Sequence, residues 1–254
     1  MGSLTLTRHQ VAALVLDGHH GLAGVDGCGL VHVDADPDAG WATLAAEPDE
    51  TLDALADLLT VLLGAELVVE VVRDESDLRA ADVFAAADGR AVAVLAGPPD
   101  AGVRPGGGDP PVAVTLVEVA PVTIPALVRA AAGWDEDGDD PDGEGPVARL
   151  TMDEVAAIGE LATVDRSRAL TRLRRAGLDR ATARQLAAGL AGPCRAVTVR
   201  ARRGTWVGEV SAFDDAHGRR WSVGLDRDDD GTPLVLVGRG DGLGSALEAL
   251  LWPG

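Results

Sequence analysis

Apolar residues recur every three to four positions along two stretches near the N-terminus, which is the spacing of one helix face. Thr7 to Leu16 is predicted as a short helix, and Asp49 to Leu63 as a longer one that ends at Gly64. The longer helix carries a continuous apolar stripe, Leu52, Leu55, Leu58, Leu59, Leu62 and Leu63.

From residue 66 onward the pattern changes to runs rich in valine and alanine, which indicate strands. Asp88-Gly89, the two-residue signature of a tight hairpin, separates two of these runs. Helical spacing returns from Pro121 to Ala132. The predicted strands are Glu66–Arg73, Ala81–Ala87, Ala91–Ala96 and Val112–Val119, with a further short strand at Leu30–Val33.

A second series of elements follows residue 150. It begins with Thr151-Met-Asp-Glu154, a capping box that opens a helix. Helices are then predicted over Asp165–Ala176 and Asp179–Leu190, and a last helix over Asp241–Trp252. Between them lie four predicted strands, Arg195–Arg202, Trp206–Phe213, Arg219–Asp226 and Thr232–Val237.

The two series share one order, helix first, then four antiparallel strands, then a helix, which predicts an internal repeat. Their central hairpins, Ala87–Val94 and Ala216–Val223, share four identities in eight. The predicted organisation is an N-terminal α/β half at residues 1–134, an acidic linker at 135–146 and a C-terminal α/β half at 147–254. The two halves are expected to form one pseudo-symmetric domain.

The acidic linker contains DEDGDDPDGEG, which has seven carboxylates and no base. Its aspartates alternate as in a calcium-binding EF-hand loop. Asp140, however, stands where that loop needs glycine, and Pro146 stands where it needs glutamate. Because like charges at this density repel one another and bury nothing, we interpret the run as a solvated hinge, with a weak cation site as the alternative.

The net charge of −19 is unevenly spread along the 254 residues. Residues 1–134 carry 20 acids and 6 bases, whereas residues 147–254 carry 14 acids and 16 bases, and every base is arginine. A field of this sign repels nucleic acid and anionic membranes. The arginine-rich segment RSRALTRLRRAG lacks interleaved aromatics, so we interpret it as a solvated helix face. With no secretory signal and no apolar span, a cytoplasmic protein without membrane insertion is expected.

Few residues of the sequence are candidates for catalysis or for metal binding. His19 and His20, near Cys28 and His32, are the most suggestive group for a metal site, but adjacent side chains diverge and no zinc-binding spacing is present. The glycine-rich segment Gly21–Gly29 lacks the lysine of a phosphate-binding loop. No catalytic residue, cofactor or metal is therefore predicted, and an enzyme or ligand-binding protein using His19 and His20 is the alternative.

The sequence resembles the EspG family of actinobacterial type VII (ESX) secretion-associated proteins. The likeness lies in the opening LTRHQVAAL, the strand ELVVEVVRDE, the hairpin DGRAVAVLAG, and VTLVEVAPVTIPALV running into a helix. The series RAVTVRARRGTWVGEVSAFDDAHGRRWSVGLDRDDDGTPLVLVGRGD also fits. The resemblance covers nearly the whole chain, and the acidic linker is its one departure. It implies an α/β (α+β) fold, a central antiparallel β-sheet flanked by helical bundles, with a quasi-two-fold internal repeat.

The resemblance also implies a non-enzymatic role. Such proteins are cytosolic chaperones that bind PE/PPE-type secretion substrates and shield an aggregation-prone helical tip. The expected partner is a PE/PPE-like or WXG-type helical protein, bound by a monomer or weak homodimer. A protein-interaction scaffold of the same fold, outside secretion, is the alternative.

Two places on the chain are candidates for contact with that partner. The first is the loop that corresponds in position to the family's partner-contacting strand loop, and an ordinary polar turn is the alternative there. The second combines arginines with an aromatic pair, which is the composition that interfaces favour, and core aromatics are the alternative. The first place is Asp74, Glu75, Ser76 and Asp77, and the second is Arg202, Arg203, Trp206 and Trp221.

Overall fold

The computed structural model describes residues 3–16, 36–75, 78–96, 114–134, 148–191, 195–214, 220–227, 230–239 and 243–251. The chain forms two compact units. Unit 1 comprises Met1–Val72, Leu78–Ala132 and Arg200–Gly208, and unit 2 comprises Arg73–Asp77, Gly133–Val199 and Glu209–Gly254. The domain boundaries proposed from the sequence stay a prediction. The acidic linker and the predicted strand Leu30–Val33 lie outside the described residues.

The first series of elements, which we call the N-terminal repeat, runs from β1 to α4. Its strands are hydrogen-bonded in the order β1-β5-β4-β3-β2. The elements are β1 Ser3–Leu6, α1 Arg8–Leu16, α2 Pro37–Leu44, α3 Asp49–Leu63, β2 Leu67–Glu75, β3 Leu78–Ala87, β4 Arg90–Ala96, β5 Val114–Val119, a 3₁₀ turn at Pro121–Thr123, and α4 Ile124–Ala132.

The second series, the C-terminal repeat, runs from β6 to α8. Its strand order is β7-β8-β9-β10-β6. The elements are β6 Ala148–Thr151, α5 Met152–Val164, α6 Arg166–Arg175, α7 Arg180–Ala191, β7 Arg195–Arg203, β8 Trp206–Asp214, β9 Arg220–Arg227, β10 Pro233–Arg239 and α8 Leu243–Leu251.

Within the described residues, both repeats follow one order: a strand, three helices, four strands and a helix. In each repeat the opening strand pairs antiparallel with the last strand, β1 with β5 and β6 with β10. The internal repeat expected from the sequence is therefore confirmed in element order and strand connectivity. The expectation that each repeat opens with a helix is wrong, because a four-residue strand comes first.

The two opening helices begin on closely similar sequences, LTRHQVAAL and LTMDEVAAI, which share five identities in nine. The capping box predicted at Thr151 and Glu154 is confirmed, with the Thr151 N–H donating to the Glu154 carboxylate at 2.8 Å. The same arrangement occurs in the N-terminal repeat, where the Thr7 N–H donates to Gln10 Oε1 at 2.9 Å and the Gln10 N–H donates back to Thr7 Oγ1 at 3.3 Å.

Each repeat buries an apolar core of its own. In the N-terminal repeat, α3 packs on β3, β4 and β5 and buries four leucines of its predicted stripe, Leu55, Leu58, Leu59 and Leu62. The stripe is wrong at Leu63, which is 55% exposed. In the C-terminal repeat, α5, α6 and α7 pack against one another, and α5 also packs on β6 and β10. The hairpin between β3 and β4 turns on Asp88 and Gly89 as predicted, with φ angles of 50° and 75° that match a type I′ turn.

Candidate partner-binding surface

The hairpin of β7 and β8 carries three of the eight candidate partner-binding residues, Arg202, Arg203 and Trp206. Along β7 the side chains alternate, so that Val199 and Ala201 are buried while Arg200 and Arg202 are exposed. A two-residue turn follows, and it depends on Gly204, whose φ of 57° is unfavourable for other residues. The strand period thus fixes the arginines on the solvent side.

Arg202 lies directly across the hairpin from Val207. The hydroxyl contact of 3.0 Å between Thr198 and Ser211 sets the register, and the two-residue turn is consistent with it. Residues opposite each other in an antiparallel pair project from the same face. Val207 is 66% exposed, so an apolar side chain stands beside a guanidinium group on the open face.

We call Arg200–Gly208 the β7–β8 tip, all of which belongs to unit 1. Arg203 and Trp206 flank its turn and are half-buried. The tip therefore carries Arg202 and the exposed Val207 on its open face, and Arg203 and the half-buried Trp206 on the opposite face. Arginine and tryptophan are the residues most enriched among strong contributors to protein interfaces, so this arrangement is suited to binding.

The other candidate place is the turn between β2 and β3, which is the equivalent turn of the N-terminal repeat. Asp74 is exposed and makes polar interactions within the chain. The side chain of Glu75, and Ser76 and Asp77 as a whole, lie outside the described residues. Asp74–Asp77 in the N-terminal repeat and Arg202, Arg203 and Trp206 in the C-terminal repeat are therefore at the same turn of the two repeats, whereas Trp221 lies on β9.

Trp221 is a core residue at 2% exposure. Its ring stacks on Phe213, directly across the strand pair, with centroids 6.3 Å apart and an interplanar angle of 16°. A side chain so enclosed offers no surface to a partner, so Trp206 is the aromatic residue of the candidate surface. Val207, by contrast, was missed from the sequence. The signal for it was present, since the strand alternation of TWVGEV puts Val207 on the face opposite to Trp206.

Arg90 forms the main described ionic cluster of the N-terminal repeat. Its guanidinium group contacts both carboxylate oxygens of Asp57 on α3, at 2.9 and 2.7 Å, and Glu118 on β5 at 2.9 Å. Hydrogen bonding to these carboxylates raises the pKa of Arg90, and the bond from Arg90 lowers the pKa of Asp57. The cluster joins a helix to two strands, which is a structural role.

The residues of the metal-site alternative, His19, His20, Cys28 and His32, lie outside the described part of the chain. Among the residues that are described, no three histidine, cysteine, aspartate or glutamate side chains are grouped as metal ligands would be. No helix in the described ranges combines the length and the apolar character that a membrane crossing requires.

Comparison with known proteins gives a likeness in fold. The chain resembles the Mycobacterium tuberculosis type VII secretion chaperone EspG5, whose structure was solved in complex with the PE25-PPE41 dimer. The likeness covers 98% of this chain and 95% of that one, with a TM-score of 0.57 and 16% sequence identity. No family model and no curated protein matches the sequence. The mixed helix-and-strand architecture with a large antiparallel sheet is thus an EspG-like fold, as the sequence resemblance implied.

Proposed function

We propose that this protein is a cytosolic chaperone of a type VII secretion system, which binds PE/PPE-like helical substrates and keeps them soluble, and that it is not an enzyme. The observation that carries the proposal is the likeness, over nearly the full length of both chains, to a chaperone solved together with a PE–PPE dimer. The resemblance of the sequence to the EspG family, which lies in short sequence stretches and in the order of the predicted elements, supports it.

The β7–β8 tip is the surface we assign to the client. A chaperone for an aggregation-prone helical tip has to cover apolar side chains, and Val207 offers an exposed apolar contact for them. Arg202 beside it can donate several hydrogen bonds to carbonyl or carboxylate oxygens of the client. Apolar contact would supply affinity, and the guanidinium group would supply orientation.

Co-expression tests the function. The full chain is produced together with the PE/PPE-like pair encoded nearest to its gene, with the tag on the client. We expect a complex that elutes as one species from a sizing column, and a client that precipitates when it is expressed alone. A client that never co-elutes with the chain, and that is equally soluble without it, would refute the chaperone function. A stable complex with no effect on solubility would favour a scaffold.

Two matched variants test the surface. Val207→Asp places a charge in the proposed contact, and Val122→Asp places the same charge at another exposed valine of unit 1, 83% exposed on the 3₁₀ turn. We expect Val207→Asp to weaken client binding by about tenfold or more, since burying an unpaired carboxylate costs over 1.4 kcal/mol. Val122→Asp should bind as the wild type does. Equal affinities for all three proteins would refute the surface while leaving the chaperone function standing.

A further inference from the structure

Two neighbouring helices of the C-terminal repeat carry a dense set of arginines. The helices α6 and α7, which we call the arginine hairpin, pack against each other across a turn at Gly177. They contain seven of the 22 basic residues of a chain whose net charge is −19, and no acid. All seven are exposed: Arg166, Arg168, Arg172, Arg174, Arg175, Arg180 and Arg184.

The apolar face of the hairpin is fully used by the fold. Ala169 and Leu173 of α6, with Ala183, Leu186 and Ala187 of α7, are buried in the core of the repeat. The arginines therefore lie on the helix faces that do not pack against the core. In the described part of the chain, their one ion pair joins Arg168 to Asp165 at 3.2 Å, with the two side chains 77% and 42% exposed.

Helix stability accounts for only part of this arrangement, because Arg172, Arg174 and Arg175 lie in the last turn of α6, where the helix dipole favours positive charge. Arg168 and Arg172 stand four residues apart on α6, and Arg180 and Arg184 do the same on α7, and like charges at this spacing destabilise a helix. Arg180 also occupies the first position of α7, where the helix dipole disfavours a positive charge. The repulsion within these two pairs and the position of Arg180 are not explained by helix stability, which favours a role outside the fold for the arginines concerned.

We infer that the arginine hairpin binds a protein partner that presents a compact cluster of carboxylates. Clustered guanidinium groups attract anions and can bind carboxylates in a bidentate manner. Helices of 10 and 12 residues are only about 15 to 18 Å long, so the cationic area is small. A nucleic acid or an anionic membrane extends beyond an area of this size and meets the negative remainder of the chain, whereas an acidic patch on a protein does not.

An exposed apolar side chain at the edge of the hairpin also favours a protein partner. Val164, the last residue of α5, is 81% exposed and directly precedes Asp165 and Arg166. An isolated apolar contact rimmed by charge is typical of protein interfaces and contributes nothing to a phosphate backbone. This inference goes beyond the chaperone function proposed above and does not depend on it.

The test measures binding of the full chain to three probes by fluorescence anisotropy at low and physiological salt. The probes are a labelled 18-residue helical peptide with five glutamates and one leucine on one face, its glutamine counterpart, and a 20-base oligonucleotide; vesicles containing phosphatidylserine are tested by sedimentation. We expect the glutamate peptide to bind, the glutamine peptide not to bind, and the oligonucleotide and vesicles to bind less tightly than the glutamate peptide.

Two single variants of equal charge locate the site. Arg172→Glu alters the hairpin, and Arg149→Glu makes the same change at an exposed arginine of β6, away from the proposed client surface. We expect the first to weaken peptide binding by about tenfold or more and the second by less than about threefold. If charge reversal unfolds the helices, Arg172→Gln/Arg175→Gln replaces it, with the same direction of effect expected.

Several results would overturn the inference. Equal weakening by Arg172→Glu and Arg149→Glu would mean that only the total charge matters. Equal binding of the two peptides would show that carboxylates are not what the hairpin recognises. No binding of the glutamate peptide would show that the hairpin is not a binding site for acidic partners. Tighter binding of the oligonucleotide or the vesicles, lost in the hairpin variant, would assign the surface to another class of partner.

Discussion

The second and third helices of the two repeats have the same place in the connectivity and opposite charge. In the N-terminal repeat, α2 and α3 carry five acidic residues and no base. In the C-terminal repeat, α6 and α7 carry seven arginines and no acid. Both pairs nevertheless bury an apolar face against the core of their own repeat. The positions of the apolar residues, and not the charges, are what the two repeats have in common.

This difference separates two kinds of position. Apolar residues and helix caps recur in both repeats, because the strand connectivity needs them. The exposed faces differ, because their charge is not needed for the fold and is therefore free to serve binding. If this is correct, matched changes in the two cores should have matched effects, and the effects should diverge wherever the repeats differ in packing or exposure.

The largest expected effect is the loss of stability when a buried leucine is truncated in the core of each repeat. Leu59 on α3 and Leu186 on α7 are both buried, at 5% and 1% exposure, in the third helix of each repeat. Leu59→Ala and Leu186→Ala should each lower the free energy of unfolding by about 2 to 5 kcal/mol, through lost apolar burial and the cavity that remains. Urea denaturation measures both. A loss below about 1 kcal/mol at one position only would show that the two repeats do not share one core design.

A close helix contact should distinguish the N-terminal repeat. A Cβ atom on Gly40 of α2 would lie 2.0 Å from the His9 carbonyl oxygen of α1, so any side chain there forces the two helices apart. Gly40→Ala should lower the free energy of unfolding by about 3 kcal/mol. A control variant in the C-terminal repeat, Gly159→Ala on α5, meets no atom within 4 Å and should raise it by about 0.5 to 1 kcal/mol. Equal signs for the two variants in thermal or urea unfolding would contradict this contact.

Long periodic elements were predictable from the sequence, and short ones were not. The leucine stripe of α3 gave its bounds, Asp49–Leu63, residue for residue. The strands β1 and β6 are four residues each, too short for alternation to be recognised, and they exist because β5 and β10 offer an edge to pair with. Helix α2 had a cap signal, Asp36 followed by proline, but its packing depends on a glycine that carries no apolar signal.

The residue types of the candidate surface could be predicted from the sequence, but which of these residues are buried could not. Trp206 and Trp221 are the same residue type in adjacent strands, and only tertiary packing buries Trp221 against Phe213 while Trp206 stays half-exposed. Val207 was overlooked, since a lone valine in a strand is most often a core residue. The alternation of β7, by contrast, can be read from the sequence and places Arg200 and Arg202 on one face, because a strand with one buried face fixes both.

Truncating the side chain of one capping box should lower the free energy of unfolding more than truncating the other, because the two boxes differ in burial. Gln10 is 3% exposed, whereas Glu154 is exposed. Gln10→Ala should lower the free energy of unfolding by about 1 to 3 kcal/mol, since it leaves the Thr7 N–H without its partner in a partly buried place. Glu154→Ala should cost about 0.5 to 1 kcal/mol, because water can replace the lost bond. Equal losses in urea unfolding would show that burial does not distinguish the two boxes.

The smallest expected effect belongs to the ionic cluster of the N-terminal repeat, and it depends on pH. Because the bond from Arg90 lowers the pKa of Asp57, the pair stabilises the folded chain above the ordinary aspartate pKa of about 3.9, and this contribution is lost as the pH falls through the lowered value. A double-mutant cycle with Arg90→Gln and Asp57→Asn should therefore give a favourable coupling at pH 7 that weakens in high salt and disappears at strongly acidic pH. Asp53→Asn on the same helix controls for the loss of one charge and should show no coupling to Arg90→Gln. A coupling between Arg90 and Asp57 that persists unchanged in strong acid would mean that packing of the two side chains, and not the ion pair, joins α3 to β4.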